Sequence, residues 1–178
     1  MLEFKPFPKI ARLNRECIVT EKIDGTNACV VIAEDGKEIG AQSRNQMLTE
    51  GDSFGFALWV EKNKDRLLTL LGPGHHYGEW WGAGIQRRYG LAHKCLSLFN
   101  VERWKDLPPS EDLRTVPVLY RGLFDTSKIE ACVGMLRISG SIAAPGFMKP
   151  EGVVIYHVAA GMGFKVTLEK DESPKGAV

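Results

Sequence analysis

The chain has 178 residues, a length that suits one domain with a substantial buried core. Hydrophobic residues make up 44% and charged residues 25%, which excludes a disordered, collagen-like or coiled-coil chain. The formal net charge is only +1, so the chain lacks the global positive field of a protein that coats nucleic acid. Any nucleic-acid contact would therefore be a local basic patch.

The cysteines and the amino terminus bear on the compartment. Cys17, Cys29, Cys95 and Cys132 form no Cys-x-x-Cys pair, so we expect buried thiols in a reducing compartment and no zinc site. The amino terminus lacks the basic and apolar regions of a secretory signal, and no apolar stretch is long enough to cross a bilayer. We expect a cytoplasmic protein of a bacterium or of a phage-infected host, with no membrane contact.

The first hundred residues are predicted to form five strands and one helix. Runs of β-branched and apolar residues between turn residues predict the strands. These cover residues 16–23, 28–33, 39–43, 76–81 and 94–101. Asp35-Gly36 supplies a tight turn after the second strand. Apolar residues at helical spacing predict a helix over 54–71, between the third and fourth strands, which Gly72-Pro73-Gly74 ends.

The second half is predicted to add three strands and a helix. The strands cover residues 116–124, 152–158 and 164–169. The helix begins at Asp125 or Ser127, where Ser127 and Glu130 have capping-box spacing. A Gly-, Ser- and Pro-rich loop follows over 139–150. Because strands outnumber helices and mostly connect through short turns, we expect an α+β fold with antiparallel sheets.

Six short motifs follow one another along the chain. They are Glu21-Lys22-Ile23-Asp24-Gly25-Thr26-Asn27, Ser43-Arg44, Gly78-Glu79-Trp80-Trp81-Gly82, Leu98-Phe99-Asn100-Val101, Lys149-Pro150-Glu151-Gly152-Val153-Val154-Ile155 and Gly163-Phe164-Lys165. Together they resemble the motifs of the covalent nucleotidyltransferase superfamily, most closely those of RNA ligases of the phage RNA ligase 2 type.

The resemblance spans about residues 16–170 and implies a fold as well as an activity. The implied fold is that of ligases and capping enzymes: α+β, with two antiparallel β-sheets, flanking helices and no appended C-terminal domain. It implies one adenylylation domain over residues 1–170, followed by a flexible polar tail over 171–178.

Lys22 is the candidate nucleophile. A lysine attacks only after it loses its proton, which burial or a neighbouring cation promotes. The apolar and β-branched stretch before Lys22 supplies such a setting. The resemblance implies that Lys22 attacks the α-phosphate of ATP and forms lysyl-AMP. Taken alone, outside the motif set, Lys22 is better interpreted as a surface charge in a turn.

Four charged residues are implied to assist Lys22. Lys165 would lie on the strand facing Lys22 and stabilise the charge that develops on the α-phosphate. Glu151, together with Glu79, is the candidate ligand for Mg²⁺ or Mn²⁺, which takes oxygen ligands and substrate phosphates. Asp24 either orients metal-bound water or only caps its own turn.

The resemblance gives several residues a role in nucleotide binding. They are Glu21, Asn27, Arg44, Glu79, Phe99 and Lys165. Phe99 resembles the aromatic residue that stacks on the base, Glu79 the carboxylate near the ribose hydroxyls, and Glu21 is expected to act through its backbone. Asn27 stands where capping enzymes usually carry arginine, which favours a ligase over a capping guanylyltransferase.

Arg44, Arg87 and Arg88 are the candidate RNA contacts, because guanidinium groups bind phosphates without reading sequence. A salt bridge is the other interpretation of Arg44, and a solvated loop that of Arg87 and Arg88. The neighbouring His75 and His76 are interpreted as packing or surface residues, not as metal ligands.

One position departs from the family pattern. Many RNA ligases carry Lys-x-Lys in the last motif, whereas this chain has Thr167 in the second basic place. Lys170 or Lys175 is a candidate replacement. We expect self-adenylylation to be better supported than efficient strand sealing.

The motif set predicts an ATP-dependent RNA ligase that needs Mg²⁺ or Mn²⁺. Its expected partner is RNA with 5′-phosphate and 3′-hydroxyl ends, and no protein partner is expected. Two alternatives stay open: a nucleotidyltransferase that uses GTP or another acceptor, and a non-catalytic RNA-binding module with the same fold.

Overall fold

The structure, a computed structural model, describes residues 2–169 as two β-sheets with three α-helices. The strands described are β1 (Glu16–Lys22), β2 (Thr26–Ile32), β3 (Ile39–Gln42), β4 (Met47–Leu48), β5 (Gly74–Gly82), β6 (Lys94–Leu98), β7 (Leu113–Thr115), β8 (Val118–Leu123), β9 (Gly152–His157) and β10 (Met162–Thr167). The helices described are α1 (Phe56–Lys62), α2 (Lys64–Leu71) and α3 (Thr126–Ser139). A 3₁₀ turn, Val158–Ala160, joins β9 to β10.

The first sheet has the strand order β10-β9-β1-β8, with every pair antiparallel. Helix α3 covers one of its faces, where Val19 and Ile155 pack against Leu136. Because side chains alternate along a strand, Thr20 and Lys22 of β1 lie on the opposite face, which α3 does not cover.

The second sheet has the strand order β4-β3-β2-β5-β6-β7. Helices α1 and α2 cover one face, where Phe56 and Leu67 pack in one cluster with Trp80. Glu79, the neighbour of Trp80, therefore lies on the other face. All pairs in this sheet are antiparallel except β6 with β7, which are parallel.

The two faces that carry no helix pack against each other. Ile18 of β1 and Ile23, which directly follows that strand, share a buried cluster with Trp81 and Cys95 of the second sheet. Lys22 directly precedes Ile23, and Glu79 lies two residues before Trp81, so both side chains are brought to one cleft between the sheets.

The prediction of an α+β fold with two antiparallel sheets is confirmed, apart from the single parallel pair. Each predicted strand has a counterpart. The four cysteines are free and buried, as expected.

The prediction of one continuous helix over 54–71 is wrong, because the structure has two helices, α1 and α2, that meet at Asn63. The backbone at Asn63 leaves the helical region (φ −107°, ψ 12°), and its side-chain amide donates to the Trp59 carbonyl at 2.8 Å. Asparagine competes for backbone groups in this way, which ends α1.

The predicted strands over 94–101 and 116–124 are too long. The Asn100 side chain accepts a bond from the Arg103 N–H at 3.0 Å, which turns the chain after β6. Pro117 has no N–H for a ladder, and it separates β7 from β8. The short strands β4 and β7 were not predicted, because two or three residues carry no readable alternation.

Of the two predicted starts of α3, Asp125 is confirmed, and the capping box at Ser127 is wrong. Asp125 is the cap, and its carboxylate accepts from the Ser127 N–H at 2.8 Å. The predicted tail over 171–178, with Lys170 and Lys175, lies outside the described residues. Among residues 2–169, no helix is long and apolar enough to cross a membrane.

Candidate active site

Lys22 and Glu151 form an ion pair at the cleft. Lys22 is the last residue of β1, and Glu151 directly precedes β9, the strand that pairs with β1. The Lys22 ammonium donates to Glu151 Oε2 at 2.7 Å. The lysine side chain is 20% exposed and the carboxylate 4%, so the amine can be reached from solvent while its partner is buried. The pair joins two of the six sequence motifs.

Glu79 holds the turn that follows Lys22. Its carboxylate accepts from the Gly25 N–H at 2.9 Å and from the Asn27 side-chain amide at 3.3 Å. Gly25 is required here by space, since an added Cβ would lie 2.5 Å from the Trp80 carbonyl oxygen. The turn therefore lies directly against β5.

Burial raises the pKa of Glu79 to about 7. The Lys22 ammonium and the Gly25 N–H oppose this shift, whereas the charges of Glu151 and Asp24 add to it. The cleft thus concentrates negative charge that is only partly neutralised.

Asp24 is held from two sides by the connection between β5 and β6. Its N–H donates to the Tyr89 hydroxyl at 2.8 Å, and its carboxylate accepts from Arg87 Nε at 2.9 Å. Burial raises the pKa of Tyr89, which keeps this phenol neutral. The sequence offered two roles for Asp24, orienting metal-bound water or capping its own turn, and neither included these bonds to Tyr89 and Arg87.

Glu21 is buried at 1% exposure, and its carboxylate binds the loop after α3. It accepts from Ser141 Oγ at 2.5 Å and from the N–H groups of Ile142 and Ala143, each at 2.8 Å. Burial raises its pKa, and these three bonds oppose the rise. The Glu21 carboxylate is thus fully used in bonds to the loop after α3. This is compatible with the prediction that Glu21 acts on the nucleotide through its backbone.

Lys165 and Lys22 lie on the same face of the first sheet. In the register, Thr20 pairs with Val154 and Val154 with Lys165, while Lys22 pairs with Gly152 and Gly152 with Thr167. Lys165 is exposed on the edge strand. Phe164, beside Lys165 on the outermost strand, is 50% exposed.

Phe99 directly follows β6, and its N–H donates to the Tyr77 carbonyl of β5 at 2.9 Å. Its ring is 43% exposed. The ring is accessible to a planar ligand, and the stacking role stays a prediction.

The three arginines predicted to contact RNA lie in different settings. Arg44 is exposed in the turn between β3 and β4, and within residues 2–169 it has no hydrogen bond or ion pair. Arg88 is exposed as well. Arg87 is engaged with Asp24, so for all three the RNA contact stays a prediction.

His76 is a packing residue, as interpreted from its sequence. It is buried, its ring contacts Trp104 edge to face, and its Nε2 lies 2.8 Å from the Gly72 carbonyl oxygen. Burial lowers its pKa.

The cleft offers two carboxylates to a divalent cation, but no complete cage. In the described part of the chain, no group of three or more His, Cys, Asp or Glu side chains is arranged to hold a metal. Glu79 and Glu151 interact closely enough for one charge to raise the pKa of the other, which a cation near both would relieve. Two carboxylates suit Mg²⁺ or Mn²⁺, because waters and substrate phosphates commonly complete the coordination shell of such an ion.

Tyr89 and Ser141 are the site residues that sequence reasoning missed. Both act through tertiary contacts, on Asp24 and on Glu21, and neither lies in a motif of charged residues. No local signal in the sequence identifies such a partner.

A family model described as RNA ligase matches residues 15–167 of the chain. No curated protein matches the chain.

Solved structures of an RNA ligase from Naegleria gruberi resemble the chain in fold. A lysine-to-methionine variant with AMP and Mn has a TM-score of 0.65 and 21% identity, over 91% of this chain and 53% of that one. A lysine-to-alanine variant with ATP and Mn has a TM-score of 0.64 and 21% identity, over 90% and 52%. The chain thus spans about half the length of these structures, and the likeness confirms the ligase fold that the motifs predicted.

Proposed function

Because this chain belongs to the RNA ligase family, we propose that it is an ATP-dependent RNA ligase with Lys22 as its nucleophile. The observation that carries the proposal is the Lys22–Glu151 ion pair, with Asp24 on the turn beside it and Glu79 of β5 bonded to that turn. This arrangement presents a partly exposed amine among carboxylates at the mouth of a cleft.

The first step is the transfer of AMP to the protein. Lys22 Nζ attacks the α-phosphorus of ATP, a P–N bond forms, the bond to the β-phosphate oxygen breaks, and pyrophosphate leaves. The ammonium must lose a proton, and Glu151 Oε2, 2.7 Å away, is placed to accept it. Lys165, on the same face, offers a positive charge to the α-phosphate oxygens.

Other residues bind the nucleotide and the metal. Phe99 stacks on adenine, and Glu21 and Asn27 border the nucleotide on the Lys22 side. Glu79 and Glu151 would hold Mg²⁺ or Mn²⁺, which when bound neutralises phosphate charge and favours pyrophosphate departure.

Two steps on RNA follow. AMP passes from Lys22 to a 5′-phosphate, which restores the amine, and a 3′-hydroxyl then attacks that phosphate and releases AMP. Arg44 and Arg88, both exposed, are proposed to bind the RNA backbone, because guanidinium groups suit phosphate oxygens.

Incubation with α-labelled ATP and Mg²⁺ tests the first step. We expect label on the wild-type protein and on Lys37→Ala, which removes an exposed lysine from a turn outside the cleft. Lys22→Ala and Lys22→Arg should carry none, because neither side chain offers a free amine at neutral pH. Lys22→Arg keeps a cation beside Glu151, so its loss of label would not reflect an unpaired buried carboxylate. Label surviving in both variants would refute the assignment.

Labelled GTP in parallel tests the choice of nucleotide, and we expect labelling with ATP only. Sealing is tested on a nicked duplex and on single-stranded RNA, each with a 5′-phosphate. RNA binding without AMP transfer to either substrate would favour a non-catalytic module.

A further inference from the structure

The connection between β5 and β6, residues 83–93, has an unusual backbone. Gln86, Arg88 and Tyr89 have positive φ angles of 43°, 59° and 51°, and no other non-glycine residue in the part of the chain described does so. L-residues avoid this region because the Cβ crowds the backbone. Such conformations persist where surrounding structure imposes them, which is frequently at a functional site.

Buried side chains impose this conformation. Ile85 is 0% exposed and Tyr89 2%. The Tyr89 ring packs against Trp81 and Phe147, with centroid distances of 4.9 Å and 4.6 Å. Arg87 lies between these two buried anchors, so the direction of its side chain is set by the core.

Arg87 contacts two of the motif segments and Glu169, which follows β10. Its Nε donates to Asp24 Oδ2 at 2.9 Å and its Nη1 to the Lys149 carbonyl at 3.0 Å, while Nη2 lies 3.9 Å from Glu169 Oε2. Asp24 follows Lys22 by two residues, and Lys149 precedes Glu151 by two. Since Lys22 and Glu151 are themselves paired, these contacts form a closed ring around the nucleophile.

Asp24 is further fixed by the same connection, through the Tyr89 hydroxyl that accepts its N–H at 2.8 Å. A solvated ion pair at the surface contributes little to structure. The Arg87 side chain is 27% exposed and that of Asp24 17%, and the second bond goes to a backbone carbonyl, which holds the main chain of the Glu151 loop.

We propose that Arg87 is a positioning residue, which sets the distance between the Lys22 amine and the Glu151 carboxylate by joining the chain segments that carry them. It acts through Asp24 and Lys149 and touches neither reacting atom. The effect of Arg87 on the rate of AMP transfer rests on the proposed function. Its effect on the placement of the Lys22 amine does not rest on that function.

The placement is tested without nucleotide. The protein is treated briefly with an amine-acetylating reagent, and acetylation of Lys22 is quantified by mass spectrometry in wild type, Arg87→Ala, Arg87→Lys and Arg66→Ala. Arg66→Ala is the matched control, because it removes an Arg–Asp ion pair, to Asp112 at 2.8 Å, remote from the cleft. We expect Lys22 in Arg87→Ala to react at least about threefold faster than in wild type, because a lysine released from a fixed ion pair is more accessible. Arg66→Ala should match wild type.

The kinetic test uses single-turnover labelling with α-labelled ATP. We expect the rate constant of Arg87→Ala to fall about 10- to 100-fold with the KM for ATP little changed, because misplacement of a nucleophile slows chemistry more than binding. Ethylguanidinium added to Arg87→Ala should recover part of the rate and leave wild type unaffected. Arg87→Lys should be intermediate, since a lysine cannot make both bonds of the guanidinium fork.

Unchanged Lys22 acetylation in Arg87→Ala would overturn the proposal. A labelling rate equal to that of Arg66→Ala, or a loss of rate that ethylguanidinium does not restore while the Tm falls, would also overturn it. If wild type takes no label from ATP, the proposed function fails, while the acetylation result still decides the role of Arg87.

Discussion

At the scale of single residues, the candidate site is held by carboxylates that bind backbone N–H groups. Glu21 fixes the loop after α3 through Ile142 and Ala143, and Glu79 fixes the turn after Lys22 through Gly25. Both carboxylates are buried, so each hydrogen bond replaces water that the group has lost. The nucleophile is thus supported by acidic residues whose charge is costly to bury.

Glu79 should make the free energy of unfolding depend on pH. Its pKa is about 7 in the folded protein, above the ordinary 4.5, so the unfolded chain releases this proton at lower pH. The contribution of Glu79 to the free energy of unfolding is fully present below about pH 4.5. It is lost as the pH rises through 7, and the loss amounts to about 3 kcal/mol. Urea unfolding with EDTA and without nucleotide, at pH 5 and pH 8, measures it.

In Glu79→Gln this part of the pH dependence should disappear, because the amide does not titrate. Glu61→Gln, an exposed position of α1, is the control and should retain the wild-type dependence. An equal pH dependence in Glu79→Gln and wild type would contradict the raised pKa.

At the scale of elements, α3 packs on one face of the first sheet and leaves the opposite face of that sheet to form the site. Ile129, Cys132 and Leu136 of α3 lie in one buried cluster with Val19 and Ile155. Because α3 covers one face of β1, Lys22 is directed to the face that meets the second sheet.

Leu136→Ala should lower the free energy of unfolding by about 2–5 kcal/mol, since it leaves a cavity at a fully buried position. Ile138→Ala is the control on the same helix: Ile138 is 79% exposed, so its truncation should change stability by less than about 0.5 kcal/mol. Urea unfolding of both variants measures the difference. Similar values for the two would mean that α3 is not packed on the sheet.

At the scale of the whole molecule, the two sheets share one interior. The cluster around Trp81 includes Ile18 from the first sheet and Cys95 from the second. A site built between two sheets requires that they fold together. Lys22 and Glu79 would otherwise have no fixed separation.

Unfolding should therefore be a single transition. The four tryptophans, Trp59, Trp80, Trp81 and Trp104, lie in or pack against the second sheet and its helices, and their fluorescence reports that half. Removing the α3 contact by Leu136→Ala, in the first half, should shift the fluorescence midpoint in urea as much as the circular dichroism midpoint. A fluorescence midpoint that does not move would show that the sheets unfold independently.

Much of the site was predictable because its motifs are local. Lys22, Asp24 and Gly25 are neighbours in sequence. Their order along the chain with Glu79, Phe99, Glu151 and Lys165 resembles that of RNA ligases. The match to the RNA ligase family model confirms this family. The helix break at Asn63 and the end of β6 before Asn100 were not predicted, because side-chain bonds to nearby backbone decide them against the apolar pattern.

By itself the sequence determined which chemical groups are present, the strands that carry them and the fold class, because alternation and turn residues act over a few positions. Only the tertiary structure decided that Glu151 lies 2.7 Å from Lys22, that Arg87 joins Asp24 to Lys149, and that Tyr89 and Ser141 belong to the site. These contacts join residues far apart in the chain, which only the pairing of the strands and the packing of the two sheets bring together.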